Sequence, residues 1–173
     1  MEICTALTTE LASEAFRNML IMSGVITAIV SVIKVQATAK KKQTADLLFG
    51  CRMDDQLRIG TQHVVAMHDP NGSIKDLLQA EKENSDEAIA VKYLLNHWER
   101  VCVGINQGIY HEEMLRQANR TNVVDLYQKS KPFIDAVRYK TGKDTFYKDF
   151  EALALKWMDK PLKVKKGWAF LAR

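Results

Sequence analysis

Cysteine is scarce in this chain. The three present, Cys4, Cys51 and Cys102, are an odd number with no CxxC and no Cys/His ligand spacing. That pattern excludes a disulfide framework and a zinc site, and each cysteine reads as a small apolar filler. Proline is equally rare, with three residues against eight glycines, so low-complexity and linker-rich architectures are excluded as well. No internal repeat is present. The glycines at 104 and 108 follow no strand and form neither GxGxxG nor a P-loop, so no nucleotide cradle is indicated. GxSxG, a Cys/His dyad signature and the kinase motifs are all missing.

The remaining polar clusters read as structural. His111-Glu112-Glu113 begins like a metalloprotease helix, but position 115 is Leu and the second histidine of H-E-x-x-H is lacking. Acids in the first turn of a helix interact favourably with its dipole, which accounts for Glu112 and Glu113. His63 and His68 stand five residues apart, off the i,i+4 face that a metal pair needs. His97, Glu99 and Arg100 flank Trp98 and read as polar neighbours of an inward-facing indole. No catalytic, cofactor-binding or metal residue is assigned, and no cofactor is expected.

What the chain does have is one long apolar run, Met19 to Ile33, between Arg17 and Lys34. Residues 18–33 carry no charge but span only about 24 Å as a helix, short of a hydrocarbon core of roughly 30 Å. Lys34 can snorkel, and residues 18–39 then reach about 33 Å. The expectation is a single transmembrane helix over 18–39. A cleaved signal peptide would open on basic residues, whereas Glu2, Glu10 and Glu14 precede this run. An interfacial helix would carry a charged face, which the run lacks. A buried helix of a soluble oligomer is the remaining alternative. Ser23, Thr27 and Ser31 recur every fourth residue and read either as a helix–helix contact or as small residues in an ordinary span.

The flanks orient it. Acids dominate before the run, while Lys34, Lys40, Lys41, Lys42, Arg52 and Arg58 follow it. The positive-inside bias puts residues 1–17 outside and the larger carboxy-terminal part in the cytoplasm. The net charge of +4 is modest and lies substantially beside the apolar run and in the tail, so lipid rather than nucleic acid is the expected partner. Arg116, Arg120, Lys129, Lys131 and Arg138 alternate with Glu112, Glu113 and Asp125, and no continuous basic face is expected.

Beyond the run, residues 40–159 read as one helical domain, and the fold class is all-α. The membrane helix is predicted to continue into a long cytoplasmic helix with a weak point near Gly60. Asp69-Pro70-Asn71-Gly72 predicts a turn, followed by a short helix capped by Ser73 with Asp76 closing a capping box. Ala88, Val91, Leu94, Leu95, Trp98, Val101 and Cys102 predict a helix from Ser85 to about Val103. Gly104–Gly108 should break the chain. A short helix should then stop at Asn119, and another, kinked at Pro132, should run from Thr121 to Thr141-Gly142. Asp144 or Thr145 should cap the last helix. The aromatics Trp98, Tyr127, Phe133, Phe146, Phe150 and Trp157 are expected to form one core, with Trp98 near its centre.

These residues carry a resemblance. Trp98-Glu99, Gly108-Ile109-Tyr110, Glu112-Glu113, Tyr127 ahead of Lys131-Pro132-Phe133-Ile134, and the closing helix from Phe146 to Trp157 make up its motifs. The stretch from Tyr93 to Trp157 resembles the bacterial and phage membrane proteins grouped as domain-of-unknown-function family 4760. The resemblance implies an amino-terminal helix in a bacterial inner membrane leading into a basic stretch, and supplies no activity and no catalytic residue.

Residues 160–173 form a basic, aromatic tail in which Lys163, Lys165, Lys166 and Trp168 join Lys34, Lys40, Lys41 and Lys42 as expected membrane-interface residues. The tail reads either as folding onto the inner leaflet or a partner, or as a solvated terminus whose Trp packs on its own domain. The expected function is that of a membrane-tethered helical interaction or regulatory protein, not an enzyme. Occurrence in bacteria and phages makes phage defence or superinfection exclusion its implied setting. The expected partners are the bilayer, a protein of unspecified identity and a further copy of the chain. The alternative is a cytoplasmic-face enzyme or nucleic-acid-binding effector.

Overall fold

The computed structural model describes residues 2–68, 73–160 and 162. The Asp69–Gly72 turn and the tail residues Lys163, Lys165, Lys166 and Trp168 lie outside the described residues, as does the side chain of Cys4. Among the described residues there are five α-helices and one 3-10 helix: α1 (Glu2–Met53), α2 (Asp55–Ala66), the 3-10 helix Ile74–Leu78, α3 (Asp86–Asn106), α4 (Glu112–Thr141) and α5 (Lys148–Asp159). No strand occurs among the described residues, and the fold is all-α.

The chain divides into two compact units between Lys40 and Lys41. In the first, α1 holds the one helix segment among the described residues long and apolar enough to cross a membrane, and none of its apolar window is buried. Met19, Ile26, Ile29 and Ile33 are all more than half exposed, far from the burial of a core helix. The Ser23, Thr27 and Ser31 hydroxyls donate to the carbonyls of Leu20, Ser23 and Thr27, each at 2.8 Å. Their donors are thus already used within the helix, as an apolar environment requires.

The second unit is a bundle. The long helix ends earlier than the glycine pattern predicts. Asp54 takes an extended conformation, and its Oδ1 accepts the amides of Gln56 and Leu57 at 2.9 and 3.2 Å, starting α2. Gly60, the expected weak point, lies inside α2 against α3. A Cβ there would stand 2.5 Å from the Ala90 carbonyl oxygen, so the glycine permits close helix contact and breaks nothing.

Ser73 starts the 3-10 helix with no side-chain cap, so the predicted capping box does not form. Ser85 does cap α3, accepting the Ala88 amide at 3.3 Å. That helix runs on through Gly104, which faces the ring of Tyr110; the break comes after Asn106. The predicted stop at Asn119 is absent, and α4 is continuous for 30 residues with Pro132 inside it. Packing of one face, from Leu115 through Val123, Leu126, Tyr127, Phe133 and Ile134, outweighs the weak local stop signal. Gly142, with φ 65°, closes α4 where the sequence places the end.

Trp157, Phe133 and Phe150 are fully buried and hold the centre of the core. Trp98 is only half-buried, stacked on Phe150 at a centroid distance of 6.5 Å, and Phe146 lies at the surface. The core therefore centres on α5 against α3 and α4, not on Trp98. Trp98 shares the inward α3 face of Leu94, Leu95 and Cys102, and it keeps its partial exposure because it lines the cleft.

Candidate functional site

Most polar residues that a sequence reader would single out are tied into the bundle. His111 is the N-cap of α4: its Nδ1 accepts the Met114 amide at 3.2 Å, and its own backbone N–H donates to the buried Thr44 hydroxyl at 2.8 Å. Glu112 accepts the Trp157 indole N–H at 3.2 Å and Lys156 Nζ at 2.7 Å. Burial opposes its ionisation, but these bonds outweigh it and hold the carboxyl below the usual glutamate range. Glu113 pairs with Arg116. Helix dipole alone is therefore an incomplete account of the two acids, because Glu112 anchors Trp157, the largest fully buried side chain of the core.

Glu99 is likewise no bystander beside Trp98. Its carboxylate accepts the amides of Asp149 at 3.3 Å and Phe150 at 2.8 Å, capping α5 from another helix. Asp144 and Thr145, the predicted caps, are not used; Tyr147 occupies the N-cap position in a left-handed conformation, φ 57°, with no cap of its own. The bond from Glu99 supplies what the local sequence lacks.

The cations of α4 are similarly committed. Arg116 and Arg120 donate to backbone carbonyls at the end of α5. Lys129 pairs with Asp125 and Lys131 with Asp135. Arg138 joins Glu151, whose other oxygen accepts the Tyr127 hydroxyl. These two bonds, Tyr127 first, hold the Glu151 carboxyl below its ordinary value. Lys34, Lys40, Lys41 and Lys42 are all exposed on α1.

One concavity stands apart. A cleft of about 820 Å³ opens between the last turns of α1, α2, α3 and α4. Leu48, Phe49, Val64, Trp98, Met114 and Leu126 give it apolar walls. Volume and character fit a site that buries a small ligand. On its wall Cys51 Sγ lies 3.3 Å from His97 Nε2. Burial pushes the Cys51 thiol up, with Asp54 adding to it, while burial and Arg100 push the His97 imidazole down. Both directions favour a neutral thiol beside a neutral imidazole. Cys102, by contrast, is fully buried, its thiol held protonated chiefly by burial, and it behaves as the filler expected.

Asp54 braces the corner between α1 and α2. Besides capping α2 it accepts the Tyr93 hydroxyl at 2.9 Å, linking α3 to the α1–α2 corner. Arg52 stands on the lining with no ion pair among the described residues, whereas Arg58 is held by Asp55. Sequence reasoning missed the Cys51–His97 pair because its members lie 46 residues apart on different helices. The only local signal was Cys51 sharing a helix face with Leu47 and Leu48.

A family pattern described as a domain of unknown function (DUF4760) matches residues 18–157. The chain belongs to that family. No curated protein and no solved structure matches the chain. The family's span starts in the apolar part of α1 and ends at Trp157, taking in every residue of the cleft. Its description carries no activity, so the chemistry of the site rests on the geometry above.

Proposed function

We propose that this chain is a single-pass protein of a bacterial inner membrane whose cytoplasmic helical unit is a regulatory interaction module. The observation that carries the reading is the apolar stretch of α1, none of whose apolar window is buried among the described residues. A bare surface of that length in water would drive association, whereas a bilayer satisfies it. The acids before it and lysines after it support an outside amino terminus, with Lys34, Lys40, Lys41 and Lys42 meeting the inner headgroups. The recognition surface is the apolar cleft. A nucleic-acid role draws no support from α4, where Arg116, Arg120 and Arg138 are bonded to other helices and Lys129 and Lys131 are interspersed with Asp125 and Asp135. Phage defence or superinfection exclusion is the setting that the family's bacterial and phage occurrence implies. An enzyme is the second reading, and the Cys51–His97 pair is what favours it.

The test has two arms. A cysteine placed at Ser85 in a cysteine-free chain should resist a membrane-impermeant thiol reagent in intact cells and react after lysis; reaction without lysis would reverse the orientation. A photo-crosslinking residue at Asn122, exposed on the cleft, should give a discrete adduct in cells that one at the exposed Lys143 does not. The same pattern of adducts from both positions would remove the cleft as a recognition site.

A further inference from the structure

We propose that the cleft binds a long-chain acyl thioester and that the Cys51 thiol accepts its acyl group. The inference rests on the cleft being the recognition site and names its occupant. Three observations converge on it. The cleft has apolar walls and a volume near 820 Å³, inside the ~300–1,000 Å³ range of sites that enclose small ligands. A nucleophile and a base are already in contact on its wall, Cys51 Sγ and His97 Nε2 at 3.3 Å. Around the same lining stand Arg52, Arg58 and Lys129 against the single acid Asp125. Arg58 and Lys129 hold only short-range partners on their own helices, and Arg52 holds none among the described residues. Such exposed i,i+3 and i,i+4 pairs are worth little and exchange readily. An apolar chain joined to an anionic carrier matches both halves of this surface.

The chemistry needs no partner beyond the thioester itself. The Cys51 sulfur attacks the acyl carbonyl carbon while His97 Nε2 takes the thiol proton. The bond from that carbon to the carrier sulfur then breaks, and the departing carrier thiolate takes the proton from His97. One thioester replaces another, so nothing is oxidised or reduced. A neutral imidazole is the form able to accept the proton. A neutral thiol is the form that an apolar cleft wall accepts at least cost. Burial thus arranges a latent nucleophile that ionises only as the base removes its proton. Acylation would fill the cleft and fix the end of α1 against α3, giving the module an occupied and an empty state.

Full-length protein in detergent, incubated with palmitoyl-coenzyme A, provides the test. Intact-mass spectrometry should show one hydroxylamine-labile acyl group, absent in Cys51→Ser and retained in Cys4→Ser and Cys102→Ser. His97→Gln should slow its appearance by about a hundredfold. Ala118→Trp, which fills the cleft from an exposed position on α4, should slow it with Cys51 and His97 intact. Acetyl-coenzyme A should react much more slowly than the palmitoyl thioester. Equal rates for the two thioesters, an unchanged rate in His97→Gln, or acylation at Cys4 in place of Cys51 would each overturn the proposal. Helical circular dichroism confirms that each variant is folded. Should Asn122 crosslink selectively while Cys51 stays unacylated, the recognition site stands and the thioester assignment falls.

Discussion

The indole N–H of Trp157, a side chain with no exposed surface, donates to the carboxylate of Glu112 at 3.2 Å across the contact between α5 and α4. One carboxylate in the first turn of α4 thereby serves three structural ends. It meets the positive end of the helix dipole, satisfies a buried donor, and pairs with Lys156 at 2.7 Å. Its neighbour Glu113 does only surface work with Arg116 and Gln117.

The two adjacent acids should therefore behave differently. Glu112→Ala leaves the indole N–H unpaired in the core and should cost about 1–3 kcal/mol. Glu113→Ala removes an exposed pair and should stay within about 0.5 kcal/mol of wild type. Denaturant titration of the two variants in detergent decides it, and equal losses would refute the distinction.

A similar contrast separates two tryptophans. Trp157→Ala empties the centre of the core and should cost about 3–5 kcal/mol, enough to unfold a domain of ordinary stability. Trp98→Ala should cost less, because half-burial leaves a smaller loss and part of the space already opens to the cleft. The order of the two melting temperatures is the measurement.

Much of this fold is legible in the sequence, and the failures have common physics. The apolar window of α1, the Ser85 cap and the Gly142 stop are local signals, and the chain obeys them. Long-range bonds decided the rest. Asn119 reads as a stop, but packing on both sides carries α4 through it. Tyr147 starts α5 with no local cap because Glu99, 51 residues before Phe150, supplies the acceptor. The cleft pair is of the same kind. Nothing in the sequence around Cys51 or His97 announces that the two side chains meet.

Acid should loosen the bundle in a defined window. Glu151 is held below its ordinary pKa by Tyr127 and then Arg138; Glu112 is held below it by Lys156 and Trp157 against the opposing effect of burial. A carboxyl depressed in the folded state adds stability that is fully present above its unfolded value, about 4.3, and vanishes as pH falls through the folded value. Melting temperature should thus hold from neutrality to about pH 5 and drop below about pH 4.5. Glu151→Gln should start lower at neutral pH and show a shallower acid decline. A variant curve parallel to wild type would show that the carboxyl contributes nothing to the acid response.

The anchor is open to a direct test. Ile26→Asp with Val30→Asp places two carboxylates in the apolar window of α1. Each costs about 2.5–3.5 kcal/mol at the centre of a spanning helix on insertion scales. The double variant should move from the membrane pellet to the soluble or aggregated fraction. Persistence in the pellet after alkaline extraction would mean that α1 is not what holds the chain there.

Gly60 supplies the sharpest test of packing, because sequence and structure assign it opposite roles. If it were the weak point of a long helix, alanine there should add stability of about 1 kcal/mol from helix propensity. In the structure a Cβ at Gly60 would press on the Ala90 carbonyl oxygen at 2.5 Å and on Leu94 Cβ at 3.0 Å. The first of these is backbone, so α2 and α3 must separate for the methyl to enter, an overpacking cost of about 1–3 kcal/mol. Gly50 is the matched control: it is helical and exposed, and no neighbour lies within 4 Å of its missing Cβ. Gly50→Ala should raise the melting temperature and Gly60→Ala should lower it. The sign of the second shift carries the weight, since propensity alone would make both positive. A stabilised Gly60→Ala would mean that α2 and α3 lie farther apart than this contact requires.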